Sequence, residues 1–599
     1  MITIADYVAL FLAQNNIKHV FGMTGGASLH LIHAIRKRAD IEMVFTHHEQ
    51  SAAMCADAYS RVSKNLGAAI ATSGPGATNL ITGICCSFFD SVPTIYITGQ
   101  VSTFRSNEGT GVRQIGFQET NIVEICRPIT KYVVKLTDAN LIRHELEKCR
   151  YIALMDRPGP VLIDIPDNLQ RVEIDPMNLK SFEIPDSNTP PIINTHKVGL
   201  FKLIKEITRS KRPVVIVGWG ARLSHAEEVL AEFLSELNFP ILPTWAAVDL
   251  FDPNDERVVG TFGTHGTRAG NYTVQNADFI LVLGSRLDTH ATGSPPQTFA
   301  RDALKFVVDI DPHEINKFEK IGIRVEEAFC LDIRKFIELF LNILDKNDLP
   351  NIDLWRATIK SWKDKYPPGI ESKEHLSVNP YDFMKSLSEH AESGDQIVSD
   401  TGCALAWAMQ SFKFKDGQRF FHAFNNTPMG YALPAAIACA FVHPDKKIIC
   451  IVGDGSIQLN IQELATIAHH KLNIKIFVIN NFGYSMIKQT QDQWLNSEYV
   501  GSSITGGLSM PNFPRVAEAY GINSFQIETQ SSISEVLTNV FNLSGPVLCD
   551  VHIPDDFRVA PQVKYGFPIE DGEPFLRRDE FLCNMIVEPL SVSLTRGKN

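Results

Sequence analysis

Two short apolar runs in the last third of the chain each end on residues suited to binding cations and phosphates. The first, Ile448-Ile-Cys-Ile-Val, runs into Gly453-Asp454-Gly455-Ser456, and the second, Ile474-Lys-Ile-Phe-Val-Ile, runs into Asn480-Asn481. Between them Ile461, Leu464, Ala465 and Ala468 recur at the spacing of one helix face. The unit therefore reads as strand, turn, helix, strand. A right-handed crossover makes the strands parallel and brings Asp454 and Asn481 to one edge. There a carboxylate and an amide oxygen can converge on one hard cation such as Mg²⁺. Gly453 and Gly455 let the backbone come close to a phosphate, and the following helix N-terminus favours its charge. The expectation is a site for Mg²⁺ and a diphosphate.

That unit fits a larger pattern. Apolar strand-like runs alternate with helical patterns along most of the 599 residues, which predicts α/β architecture with parallel sheets. Three such domains are expected, over residues 1–175, 192–340 and 377–555, with a tail over 556–599. Predicted strands are Met43–Thr46, Ala68–Thr72, Thr94–Thr98 and Val161–Ile165 in the first. The second has Pro213–Val217, Phe279–Leu283 and Lys305–Val308, and the third Ile448–Val452 and Ile474–Ile479. The Pro-rich stretch Ile184–Pro191 and a charged region near Asp345–Leu376 read as linkers. The first and third domains are similar in size and class, which permits a duplicated architecture.

Composition excludes other classes. The 68 acidic and 56 basic residues leave a net charge of −12, with no basic block for nucleic acid. No apolar run reaches the roughly 18–20 residues that span a bilayer; Gly430–Val442 is too short and contains Pro434. The N-terminus opens on an amphipathic pattern (Ile4, Tyr7, Val8, Phe11, Leu12), not on a signal peptide. Eleven cysteines without a CxxC pair predict reduced, buried thiols in a cytoplasmic protein. His47 and His48, adjacent on an extended segment, would face opposite ways and are not expected to share a metal.

The run Gly453-Asp-Gly-Ser-Ile-Gln-Leu-Asn-Ile-Gln-Glu-Leu-Ala-Thr466, with Asn480-Asn481, resembles the motif of thiamine diphosphate enzymes. Over residues 1 to about 555 the chain resembles the acetolactate synthase family. The resemblance implies a pyrimidine-binding domain, a central FAD-type domain and a diphosphate domain. It makes Asp454, Asn481 and the backbone carbonyl of Gly483 the Mg²⁺ ligands. Val20-Phe-Gly-Met-Thr24-Gly25-Gly26-Ala27 and Thr46-His-His-Glu49-Gln-Ser also match the family, with Thr24 in place of proline. Glu49 becomes the carboxylate that hydrogen-bonds the aminopyrimidine ring and promotes formation of the carbon nucleophile. Gly26 and Gln118, in Phe117-Gln118-Glu119, join it as catalytic residues. The turn Ser73–Asn79 belongs to the same fold, and Lys131 is a weaker match that reads better as a surface lysine. Met429 and Met486 are implied to flank the cofactor, with Gly453, Gly455 and Ser456 at its diphosphate. The same likeness implies a homodimer or homotetramer in which Glu49 comes from one subunit and Asp454 and Asn481 from the next.

In the middle domain Gly218-Trp-Gly220 is an incomplete dinucleotide fingerprint. Gly263-Thr264-His265-Gly266, Gly284-Ser-Arg286-Leu-Asp288 and Asp309-Ile310-Asp311 are similar to the family's FAD-binding region. With Arg157 and Gly220 they are expected to bind FAD that takes no part in the net non-redox reaction. His290 stands where the biosynthetic enzymes usually have arginine.

Other departures fall on the substrate side. Thr490 replaces a usual tryptophan, Cys403-Ala404 replaces a Gln-His pair, and the loop Ser102–Gly116 is longer than the family's. The resemblance implies decarboxylation of pyruvate and transfer of its two-carbon unit to a second carbonyl compound, giving 2-acetolactate when that acceptor is pyruvate. Alternatives are another acceptor, such as a ketone or a keto-sugar nucleotide, a simple 2-keto acid decarboxylase, a pyruvate oxidase, and a non-catalytic protein on this fold.

Overall fold

A computed structural model describes residues 1–185, 192–369 and 376–596. The N-terminal pattern forms the helix Ile4–Gln14, which buries Ile4, Tyr7, Val8, Phe11 and Leu12. Thr3 caps it in a capping box with Asp6.

Three parallel sheets form the body of the molecule. The first has six strands, in the spatial order Glu42–Phe45, His19–Gly22, Gly67–Ala71, Thr94–Gln100, Pro160–Pro166 and Tyr132–Lys135. The last has six in the order Arg419–Phe421, Gln396–Ser399, Ile448–Gly453, Ile474–Asn480, Val547–His552 and Asn523–Ile527. Numbered within each unit, the two orders are the same. The middle sheet has five strands, ordered Ile241–Pro243, Pro213–Val217, Phe279–Leu283, Leu304–Asp309 and Glu327–Cys330.

The first and last sheets share a core across two small-residue helices. Helix Glu49–Ser63 buries Ala52, Ala53 and Ala56 against helix Ala432–Val442, which buries Ala435, Ala436 and Ala438. The second helix is apolar on all sides because it is surrounded by protein. The Cys55 thiol donates to the Pro434 carbonyl across this contact (3.0 Å).

Several expectations change in detail. The charged stretch after residue 345 is no simple linker. It contains the helix Asp353–Lys365, whose Trp355, Ile359 and Trp362 join the core of the middle unit. Among the described residues the segment from Asp556 onward has no strand, but Val563, Ile569 and Phe581 are buried in that same core. From residue 186 the linker Ile184–Pro191 lies outside the described residues. In the strand–helix–strand unit the buried face of the helix centres on Leu464 and Ile467, while Ile461, Ala465 and Ala468 are half-buried.

Candidate active site

The three sheets share one arrangement at their switch points, where neighbouring strands send their chains to opposite faces. In such sheets ligands bind outside the carboxyl ends of those strands. In the first sheet the flanking strands His19–Gly22 and Gly67–Ala71 run out into Gly25-Gly26 and Ser73-Gly74. In the last sheet Gln396–Ser399 and Ile448–Gly453 run into Asp400 and Asp454. In the middle sheet Pro213–Val217 and Phe279–Leu283 run into Gly218 and Gly284.

Asp454 begins a helical turn, Asp454–Ile457, and is buried. Its carboxylate accepts the amides of Gly455 (2.7 Å) and Gly483 (3.0 Å). Burial raises its pKa to about 7, against the pull of those amides and of Lys488. Asn481 is buried beside it, and its Oδ1 has no hydrogen-bond partner among the described residues. A buried carboxylate held back from ionising and an unsatisfied amide oxygen are what a divalent cation would relieve. The local backbone needs its glycines: a Cβ on Gly455 would lie 2.0 Å from the Tyr484 ring, and one on Gly483 2.3 Å from the Ser502 carbonyl. Ser456 is buried, Gly453 caps the turn, Met486 follows the Gly483 loop and is half-buried, and Met429 is half-buried before Gly430.

Asp400 was not singled out by sequence. It is fully buried, and its carboxylate accepts the amides of Gly430 (3.1 Å) and Ala432 (3.0 Å). It fixes the Met429–Gly430 turn to the strand end, and burial lifts its pKa to about 6. An Asp directly after a strand was its only signal.

Glu49 is the first residue of helix Glu49–Ser63 and is buried. His48 caps the helix by accepting the Gln50 amide on Nδ1 (3.0 Å). Glu49 Oε2 accepts from Asn79 Nδ2 (2.9 Å), which belongs to the turn after Gly74. A Cβ on Gly76 would come within 3.1 Å of Oε1. Thus the Ser73–Asn79 turn is the cradle of this carboxylate. Gly26 lies in a helical turn, Gly26–Ser28, with open space where a side chain would go. His47 is exposed, and its amide donates to Glu463 (3.0 Å).

Gln118 is exposed and holds φ at 63°. Its backbone packs on Gly74, where a Cβ would meet the Gln118 Cβ and carbonyl at 2.9 Å. Glu119 beside it is buried and accepts amides from the long loop before it, a role the sequence did not reveal. Lys131 is half-buried, with its amine on the Met155 carbonyl (2.6 Å) and its pKa lowered by burial to about 8. Thr490 is exposed on helix Ser485–Trp494, its hydroxyl donating to the Met486 carbonyl (3.1 Å). Cys403 and Ala404 are buried at the start of helix Cys403–Ser411.

A cleft of about 610 Å³ lies where the three units meet. Arg157, Gly220, His265, Gly284, Arg286, Asp288, Asp309 and Ile310 line it, as do Met486 and Thr401 from the last unit. Thr264 and Gly266 do not; they build the turn that carries His265, with the Thr264 amide on the His290 carbonyl (2.9 Å). Gly218, Gly220 and Gly284 are required by packing, since a Cβ on Gly220 would lie 2.8 Å from Gly284 Cα. Arg157 bonds Asp311 (2.9 Å) and Glu314 (2.8 Å) at the cleft wall. Asp309 is raised above the usual carboxylate range by burial. His290 stacks on His265 with Nε2 to Nδ1 at 3.0 Å, and burial drives the His265 pKa down to about 3. The pair is therefore neutral at physiological pH.

Comparison with known proteins bears on all three units. Three family descriptions match: "Thiamine pyrophosphate enzyme, N-terminal TPP binding domain" over residues 2–125, "central domain" over 200–339 and "C-terminal TPP binding domain" over 400–551. An acetolactate synthase large subunit from Porphyra purpurea is 33% identical over 561 residues, covering 93% of this chain and 92% of the relative. That of Cyanidium caldarium is 34% identical over 566 residues, covering 93% and 94%. That of Haemophilus influenzae is 30% identical over 571 residues, covering 94% and 96%.

Proposed function

The chain belongs to the acetolactate synthase family of thiamine pyrophosphate enzymes, and from that premise we propose how its residues divide the work. It is a thiamine diphosphate-dependent pyruvate carboligase. The cofactor, when bound, supplies the carbon nucleophile that pyruvate needs to lose carbon dioxide and pass on its two-carbon unit. With a second pyruvate as acceptor the products are 2-acetolactate and carbon dioxide.

Asp454, Asn481 and the Gly483 carbonyl hold Mg²⁺, and Gly453, Gly455 and Ser456 keep the backbone close to the diphosphate. The observation that carries this reading is the orphaned Asn481 Oδ1 beside the reluctant carboxyl of Asp454. Glu49 hydrogen-bonds a ring nitrogen of the aminopyrimidine and holds the proton there. Met429 and Met486 would flank the bound cofactor, Gly26 offers open space where a side chain would stand, and Gln118 would donate a hydrogen bond to the substrate.

The cleft is of a size that takes a dinucleotide, and we assign it to FAD. Arg157 and Arg286 meet its diphosphate and Asp309 a ribose hydroxyl. Carboligation needs no net electron transfer, so the flavin takes no redox part in it. The active unit is a homo-oligomer whose sites combine Glu49 of one subunit with Asp454 and Asn481 of the next. Among the described residues no helix is long and apolar enough to cross a membrane. With all eleven cysteines free, we place the protein in the reducing cytoplasm.

The test is incubation with pyruvate, thiamine diphosphate and Mg²⁺, with and without 2-ketobutyrate, and products identified by mass. Acetolactate from pyruvate alone is expected. Acetaldehyde as sole product would replace the carboligase with a decarboxylase. With no aromatic wall at Thr490, little preference for 2-ketobutyrate is expected; strong enrichment of its product would refute that part.

A further inference from the structure

The loop between Val101 and Phe117 is folded around one carboxylate. Glu119 Oε1 accepts the amide of Asn107 (2.6 Å), and Oε2 accepts those of Ile115 (2.9 Å) and Gly116 (3.3 Å). These donors come from two separate parts of the loop. Asn107 in turn donates from Nδ2 to the carbonyls of Val112 (2.8 Å) and Arg113 (2.9 Å). Gln114 Nε2 closes the ring on the Glu119 carbonyl (2.8 Å). Burial works against ionisation of Glu119, yet the backbone amides outweigh it and hold its pKa below the ordinary value. The loop itself is polar, exposed and without an apolar core, so this anion is its organising centre.

The next residue back is Gln118, in a left-handed conformation that side chains adopt only when their surroundings impose it. It is gripped from two sides. Gly74 packs on its Cβ and carbonyl, and the Glu119 amide donates to the Gly116 carbonyl (3.1 Å). The Glu119 carboxylate adds its own hold on that side through the Ile115 and Gly116 amides, so its loss loosens the second grip and leaves the first.

We propose that Glu119 is the positioning residue of the carboligation step: it holds the loop and the Gln118 side chain where the acceptor arrives, and takes no part in activating the cofactor. This rests on the carboligase reading and on Gln118 facing the acceptor. Two separated points of the loop, Asn107 and Ile115-Gly116, are thereby tied to one charge.

Glu119→Gln keeps the shape but puts an amide where the backbone donors need an anion. Two measurements on the full-length holoenzyme test it. The first is product partition. The share of consumed pyruvate recovered as acetolactate, as opposed to acetaldehyde, should fall by about tenfold or more. The C2 hydrogen–deuterium exchange rate of the cofactor should stay at the wild-type value. Glu119→Asp, which keeps the charge, should recover part of the ligation. The second is tryptic cleavage at Arg113, an exposed residue of the loop. It should accelerate by about tenfold in Glu119→Gln as the charged hydrogen bonds are lost. Unchanged partition in Glu119→Gln overturns the proposal, as does a C2 exchange rate that falls together with ligation. Gln118→Ala separates the two levels. If that variant ligates normally while Glu119→Gln still opens the loop, the clamp stands but the assignment of Gln118 to the acceptor fails, and the proposed role with it.

Discussion

Two buried carboxylates, Glu49 and Asp454, are set up for different partners. Glu49 is buried, with one amide donor from Asn79 and room left by Gly76. Glu49→Gln keeps that packing and removes the anion, so C2 exchange of the bound cofactor should drop by about two to four orders of magnitude. Binding of the diphosphate should persist; wild-type exchange in the variant would refute the role. Asp454 makes a different prediction. Its pKa of about 7 means that the site is partly protonated near neutrality, and a cation must displace that proton. Mg²⁺ affinity should therefore climb as pH rises toward 7 and level off above it. The calorimetric heat of binding at pH 6.5 should depend on the ionisation enthalpy of the buffer. Asp454→Ala should abolish both effects and most of the cofactor affinity. A heat that is the same in every buffer would show that Asp454 is already ionised without metal.

Strands and turns divide into those that composition reveals and those that it hides. Pro213–Val217 and Phe279–Leu283 are legible because they are unbroken apolar runs inside a parallel sheet. Gln396–Ser399, Arg419–Phe421 and Asn523–Ile527 are not, being short, edge-placed or mixed with polar residues. The helix Asp353–Lys365 is hidden by its lysines, although Trp355, Ile359 and Trp362 keep helical spacing. Site residues follow the same rule. Glu49 and Asp454 sit in recognisable strings, whereas Glu119 and Asp400 matter through backbone amides that no string announces. The buried pair of strands Thr94–Gln100 and Pro160–Pro166 carries another hidden carboxylate, this one held by side chains. Asp164 accepts from Thr98 (2.7 Å) and Gln100 (3.0 Å), and burial lifts its pKa to about 7. The unfolded chain loses this proton near the ordinary value of 3.8, the folded one only near 7. Stability of the cofactor-free protein should therefore fall as pH rises from about 4 to 7 and be flat above, by on the order of 4 kcal/mol from this group. Asp164→Asn mimics the protonated form and should remove that part of the slope. Urea midpoints at pH 5 and pH 7.5 decide it: an unaltered difference between the two pH values in the variant would exclude Asp164 as a source.

At the scale of the molecule, the first and last sheets repeat one strand order, and their switch points carry Gly26 and Gly74 in one and Asp400 and Asp454 in the other. Within one chain their shared helices are already committed to each other, through Glu49–Ser63 on Ala432–Val442 and the Ser51–Asn460 hydrogen bond (2.9 Å). The hydrogen bonds of Glu49 stay in the first unit and those of Asp454 in the last. Large apolar side chains remain uncovered on both sides, Phe104 and Phe117 at 73% and 87% exposure and Trp494 and Val500 at 55% and 73%. A second copy of the chain, related by a two-fold axis, would cover such faces and set each Glu49 against the partner's metal loop. Mixing two dead variants tests this arrangement without any structure of the assembly. Glu49→Gln and Asp454→Ala homodimers should each be inactive. In a mixed dimer one site inherits both lesions and the other inherits neither. Refolding or co-expressing the two in equal amounts should restore about a quarter of the wild-type activity, because half of the dimers are mixed and half of their sites are intact. If each site were built from a single chain, every site in the mixture would carry one lesion, and the mixture would stay as inactive as its parts.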